Sequence, residues 1–148
     1  VLGTLATALL ALAIALPLAL GVAIFLTEFC PAPLARPIAV AVELLAGIPS
    51  IVYGMWGLFV FAPWFAEHVQ APLVAAIPES SWLASVVAGV PNGANIFTAS
   101  VILAIMILPY MAAVFRELFR SVPPQVREAG FGLGATSFEV VGRVMIPY

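Results

Sequence analysis

The side chains able to do chemistry in this 148-residue sequence are few and unevenly placed. Every charged residue is Arg or Glu; Asp and Lys are missing, His68 is the single histidine and Cys30 the single cysteine. Acid–base catalysis and metal binding need convergent groups of such residues, so the expected activity is not enzymatic, and neither a metal nor any other cofactor is expected. Cys30 has no partner for a disulfide. Gly130, Gly132 and Gly134 lack the G-x-G-x-x-G spacing of a phosphate-cradling loop, and there is no Walker lysine. A net charge of −2 gives no reason to expect nucleic acid. What remains is one charge-rich stretch, Arg116, Glu117, Arg120, Arg127, Glu128, Glu139 and Arg143, and the chemistry it offers is protein contact.

The elements that must position this stretch are apolar. About 64% of the residues are hydrophobic and 8% charged, far from the mix of a soluble domain, and the expected surrounding is a lipid bilayer. Val1 to Thr27 carries no ionisable group and is long enough to cross a hydrocarbon core. It is expected to be a span rather than a signal peptide, and the sequence is expected to be internal to a longer protein. The first span is predicted over about 1–29. Glu28, Pro31, Pro33, Arg36 and Pro37 form a polar, proline-rich elbow that is not expected to be helical. A second span is predicted over 38–65, with Glu43 reaching the interface or pairing with Arg36. Residues 66–95 read as an external loop with a surface helix around Trp82–Val90, and a third span is predicted over 96–115. Prolines 17, 49 and 109 fall one in each span, where neighbouring helices can accommodate them. Ala11 with Ala15, and Gly54 with Gly57, are spaced for close helix packing.

Four of the five arginines lie in the arm 116–147 and the fifth, Arg36, lies in the elbow; the 66–95 loop has none. The positive-inside rule then makes 30–37 and 116–147 cytoplasmic and 66–95 external. Within the arm, Pro123 and Pro124 can open a helix whose Val126, Ala129, Gly130 and Leu133 share one face. Gly132 and Gly134 permit a bend, and Thr136 with Glu139 makes a capping box for a second helix carrying Phe138, Val141 and Met145 as an apolar stripe. Two short helices joined at a glycine suit docking. Ser50, Tyr53 and Thr98 offer hydroxyls within the spans, but packing roles suit them as well, and no substrate-binding residue is assigned.

Glu128-Ala129-Gly130, three residues, Gly134, nine residues, then Val144-Met145-Ile146-Pro147 resembles the EAA loop of ATP-binding-cassette importer permeases, written E-A-A-x3-G-x9-I-x-L-P. Gly130 departs from the second alanine, and Val144 and Ile146 are conservative replacements. The string from Glu43 to Phe59, and Ile105 to Pro109, are similar to spans of the phosphate-specific transport permeases. The resemblance implies an all-α polytopic membrane protein of the MetI-like, type I importer class, with 1–148 as part of a single permease domain: three transmembrane helices plus cytoplasmic coupling helices. It implies a bacterial inner membrane, with an ATP-binding cassette subunit, a second permease subunit and an external phosphate-binding protein as partners. Glu128, Ala129, Gly130, Gly134, Val144, Ile146 and Pro147 are then expected to couple ATP hydrolysis in the partner to uptake, most simply of inorganic phosphate. A permease for sulfate or molybdate is the nearest alternative. A channel or secondary transporter would not need the arm.

Overall fold

In a computed structural model that describes residues 1–76 and 95–147, every regular element is helical. Helix α1 is Leu2–Ile24 and runs into a π-helical turn, Phe25–Phe29. Helix α2 is Ala32–Ala46. Helices α3 (Ser50–Trp56), α4 (Ala62–Phe65) and α5 (Ala71–Ala76) follow one another through π-helical turns at Gly57–Phe61 and Ala66–Gln70. Helix α6 is Ile96–Ser121, and α7 (Pro124–Gly132) and α8 (Ser137–Val140, extended by the turn Val141–Met145) make up the arm.

Leu2–Phe29 and Ile96–Ser121 are each long and apolar enough to cross a membrane, and α2 with Ser50–Ala75 makes a third, broken candidate. The chain is thus an all-helical polytopic membrane protein. Its helix boundaries depart from the sequence reading at four places. The proline elbow is mostly helix: Pro33 sits in the first turn of α2, where backbone N–H groups have no intrahelical acceptor, and Pro37 lies inside the helix at the cost of one backbone bond. The break comes instead at Gly47-Ile48-Pro49, inside the predicted 38–65 span, where proline forces its predecessor out of helical geometry. Residues 66–76 of the predicted loop are helical; the remainder of that loop, with the surface helix predicted around Trp82–Val90, lies outside the described residues. Finally, α6 does not stop at Phe115 but carries Arg116, Glu117 and Arg120 on its last turns.

The residues fall into two compact units. In the first, 1–15 with 47–107, the π-helical turn after α3 approaches α6 at Gly57: a Cβ there would lie 2.7 Å from Ile102 Cγ2. Gly54, by contrast, faces open space. Asn95 caps α6, its Oδ1 accepting from the Thr98 N–H at 2.8 Å. Phe65 meets Phe97 at 5.5 Å and Phe61 at 5.1 Å. In the second unit, 16–46 with 108–147, Ala23 of α1, Phe119 and Val122 from the end of α6, and Val140, Val141 and Met145 of the arm form one buried cluster.

Candidate coupling site

The arm is built from local signals that the backbone obeys. Pro123 and Pro124 start α7 without removing a needed donor. At its other end Gly134 adopts φ +84°, the sole positive φ among the described residues. Its N–H donates to the Phe131 carbonyl at 2.9 Å, and the Ala135 N–H reaches back to the Gly130 carbonyl at 3.2 Å. These two bonds make a Schellman motif with Gly134 at the left-handed position, where an L side chain is disfavoured. Gly134 is therefore the bend. Gly132, its neighbour, remains helical.

The second helix opens on a reciprocal capping box. The Glu139 N–H donates to Thr136 Oγ1 at 3.4 Å, while the Thr136 N–H and hydroxyl donate to the Glu139 carboxylate, each at 2.9 Å. The Thr136 backbone bond chiefly, then its hydroxyl, with Arg143 nearby, hold the Glu139 carboxyl below its ordinary value.

The two short helices then close on each other. Gly130 is buried, and a Cβ there would sit 3.1 Å from Val140 and 3.6 Å from Val144. Val126, Ala135 and Val144 flank the buried cluster, whose Val140, Val141 and Met145 sit with Ala23, Phe119 and Val122. The arm is fastened in this way to the last turns of α1 and α6. The predicted stripe of Phe138, Val141 and Met145 is divided: the latter two are buried, whereas Phe138 is 75% exposed and its ring lies 5.1 Å from Phe29. Phe138 lies in the four-residue α-helical opening, whereas Val141 and Met145 lie in the π-helical turn that follows, where the residue period changes and the stripe is broken.

Of the seven motif residues, Gly130 and Val144 face inward, whereas Glu128, Ala129, Gly134, Ile146 and Pro147 are exposed. Leu133, one residue before the bend, is 90% exposed, and Phe131 also shows its ring. No ion pair involves Glu128 among the described residues. The motif thus splits into a packed side and an uncovered side with one acid and several apolar groups.

Charge partners hold the same unit together, and these the sequence reading missed. Glu43 pairs with Arg116 and not with Arg36. Arg116 also reaches Glu117 at 3.2 Å, and Arg127 of the arm pairs with Glu28, which is nearly buried. A glutamate inside an apolar helix signals that a partner exists; here the partner, Arg116, lies on the last turns of α6. In the first unit, Ser50 and Thr98 do share a cavity of about 700 Å³ with Thr7 and Asn95, while Tyr53 is not part of its lining.

No family profile matches the chain, and no solved structure matches it. Among characterised sequences it is 53% identical over its full 148 residues to the phosphate transport system permease protein PstC of Haemophilus influenzae, covering 47% of that protein. It is 50% identical to the protein of the same name from Pasteurella multocida, over all of this chain and 46% of the relative. With that of Mesorhizobium japonicum the identity is 49% over 99% of this chain and 45% of the relative. The chain spans about half the length of the relatives it matches.

Proposed function

We propose, from its identity over almost all of its own length to about half of the PstC permease proteins, that this chain is part of the membrane-spanning subunit of an ATP-driven phosphate importer, with residues 124–147 as its coupling element. The observation that carries the coupling role is the two-sided arm. Val140, Val141 and Met145 tie it to α1 and α6, while Glu128, Ala129 and Leu133 stay uncovered. A partner that grips the uncovered side moves the ends of two candidate spans. The partner is an ATP-binding cassette subunit: closure of its nucleotide-bound dimer shifts α7 and α8 as a body, and access alternates. Glu128 supplies an acceptor for a basic or hydrogen-bonding group of that subunit, Ala129 permits close approach, and Gly134 fixes the angle between the helices. Gly130, Val144, Ile146 and Pro147 preserve the packing and the end of the second helix.

The substrate is phosphate, supported by the names of the relatives. The arm and the 30–37 segment are cytoplasmic, supported by the arginine distribution; the membrane is the bacterial inner membrane, and a second permease subunit and an external phosphate-binding protein complete the assembly. The test is disulfide or bifunctional crosslinking from a cysteine at Ala129 in the full-length permease to the ATPase subunit, with and without nucleotide, alongside phosphate uptake. A crosslink that changes with nucleotide supports the reading. Absence of any crosslink with uptake intact overturns it.

A further inference from the structure

The second unit holds a polar cavity of about 760 Å³, lined among others by Cys30, Arg36, Glu43, Arg116, Arg120 and Arg127. Four of the chain's five arginines converge here. The carboxylates paired with them are Glu28, Glu43 and Glu117, so positive charge is in excess. Arg36 makes no ion pair among the described residues, and Arg120 reaches Glu117 only at 3.6 Å. Arg116 is 6% exposed; one of its terminal nitrogens serves both Glu43 and Glu117, while its buried Nε has no acceptor. A buried charged donor without an acceptor is unfavourable, and the guanidinium fork matches the oxygens of a phosphate group.

We propose that this cavity binds a phosphate group, carried either by inorganic phosphate or by the headgroup of an anionic lipid. Arg116 is its buried arginine, and Arg36 and Arg120 are its exposed ones. This rests on the arginine geometry and not on which substrate the importer moves.

Cys30 lines the cavity and reports occupancy. Its alkylation rate, followed by peptide-resolved mass spectrometry, is to be measured in the full-length permease with its partner subunits, held in phosphatidylcholine nanodiscs. Inorganic phosphate is titrated in without nucleotide, against chloride at equal ionic strength. A parallel sample contains phosphatidylglycerol. The double variant R36Q/R120Q alters only exposed side chains, and an unchanged melting curve checks that it folds.

If free phosphate is the ligand, phosphate slows Cys30 alkylation several-fold, and the half-protecting concentration rises about tenfold or more in R36Q/R120Q, where two charge-assisted contacts are gone. If a lipid is the ligand, phosphatidylglycerol protects Cys30 without added phosphate, and a retained lipid seen by native mass spectrometry is lost in the variant. Equal alkylation under all conditions overturns the proposal, as does protection that R36Q/R120Q leaves unchanged.

Discussion

Gly134 allows a perturbation whose cost is confined to the backbone. A Cβ built there meets nothing within 4 Å, so a side chain causes no collision, yet φ stands at +84°. For an L residue this region costs about 1–2 kcal/mol, with asparagine penalised least and β-branched residues most. The bent arm should therefore weaken in the order G134N, G134A, G134V. A loss of about 1–2 kcal/mol shifts the equilibrium between bent and straightened arms roughly 5- to 30-fold. Gly132 provides the control: it is equally open but helical, so G132A should be neutral or stabilise by up to about 1 kcal/mol. The assay is the ratio of phosphate taken up to ATP hydrolysed in proteoliposomes holding the full-length importer, with hydrogen exchange across 130–136 as the structural readout. Graded loss of coupling through the 134 series, with G132A near wild type, is expected. If G134V couples normally, or if G132A and G134A behave alike, the left-handed bend is not what sets the arm.

At Gly57 the limit is steric: a Cβ would come within 2.7 Å of Ile102, so G57V should cost about 1–3 kcal/mol by overpacking and lower the melting temperature, and I102A in the same protein should recover part of it. E43Q removes the carboxylate charge facing the buried Arg116 and should destabilise by about 1–3 kcal/mol. The double variant E43L/R116M should cost less than the sum of its singles, as read by thermal melting of the complex. Glu139 has a depressed carboxyl pKa, held down first by the Thr136 backbone bond, so its contribution is fully present above the ordinary carboxylate value and is lost as pH falls through the folded one. Hydrogen exchange at 136–140, corrected for intrinsic rate, should accelerate on acidification in the wild type and show no such step in E139Q.

The parts of this structure legible in the sequence are those fixed by local chemistry. Thr136-x-x-Glu139 dictates a capping box, paired prolines open α7, and a glycine two residues beyond that helix accepts the left-handed turn. The uncharged run before Glu28 likewise reads directly as a membrane-length helix. The misread parts depend on context. Prolines 33 and 37 suggested an elbow, yet Pro33 sits in the first turn of α2 and Pro37 is carried inside it; Pro49 follows a complete break rather than sitting within a continuous span. The predicted span 96–115 is part of a longer helix whose last turns carry Arg116, which pairs with Glu43 and Glu117. Which glutamate meets which arginine is a tertiary fact, 73 residues apart in one case and 99 in the other, and no spacing rule reaches that far.

The distribution of large and small residues adds an argument about solvent. Along α1, Ala11, Ala15, Ala19 and Ala23 are each 0% exposed, four steps apart on one face, while Leu5, Leu9, Leu12 and Leu16 are all exposed. Phe59 on the turn after α3 is 68% exposed. In water this arrangement would forfeit the burial that drives folding, since the largest apolar groups would stay hydrated. In a bilayer, leucine gains little by leaving lipid, and close backbone approach along small residues becomes the favourable contact. The same logic distinguishes the arm. There the buried groups are Val140, Val141 and Met145, branched or long side chains packed against Phe119, while Leu133 and Phe138 of the same arm stay exposed. The switch from alanine packing to valine, methionine and phenylalanine packing falls where the arginines begin. That switch sets the arm apart from the spans in how its helices pack.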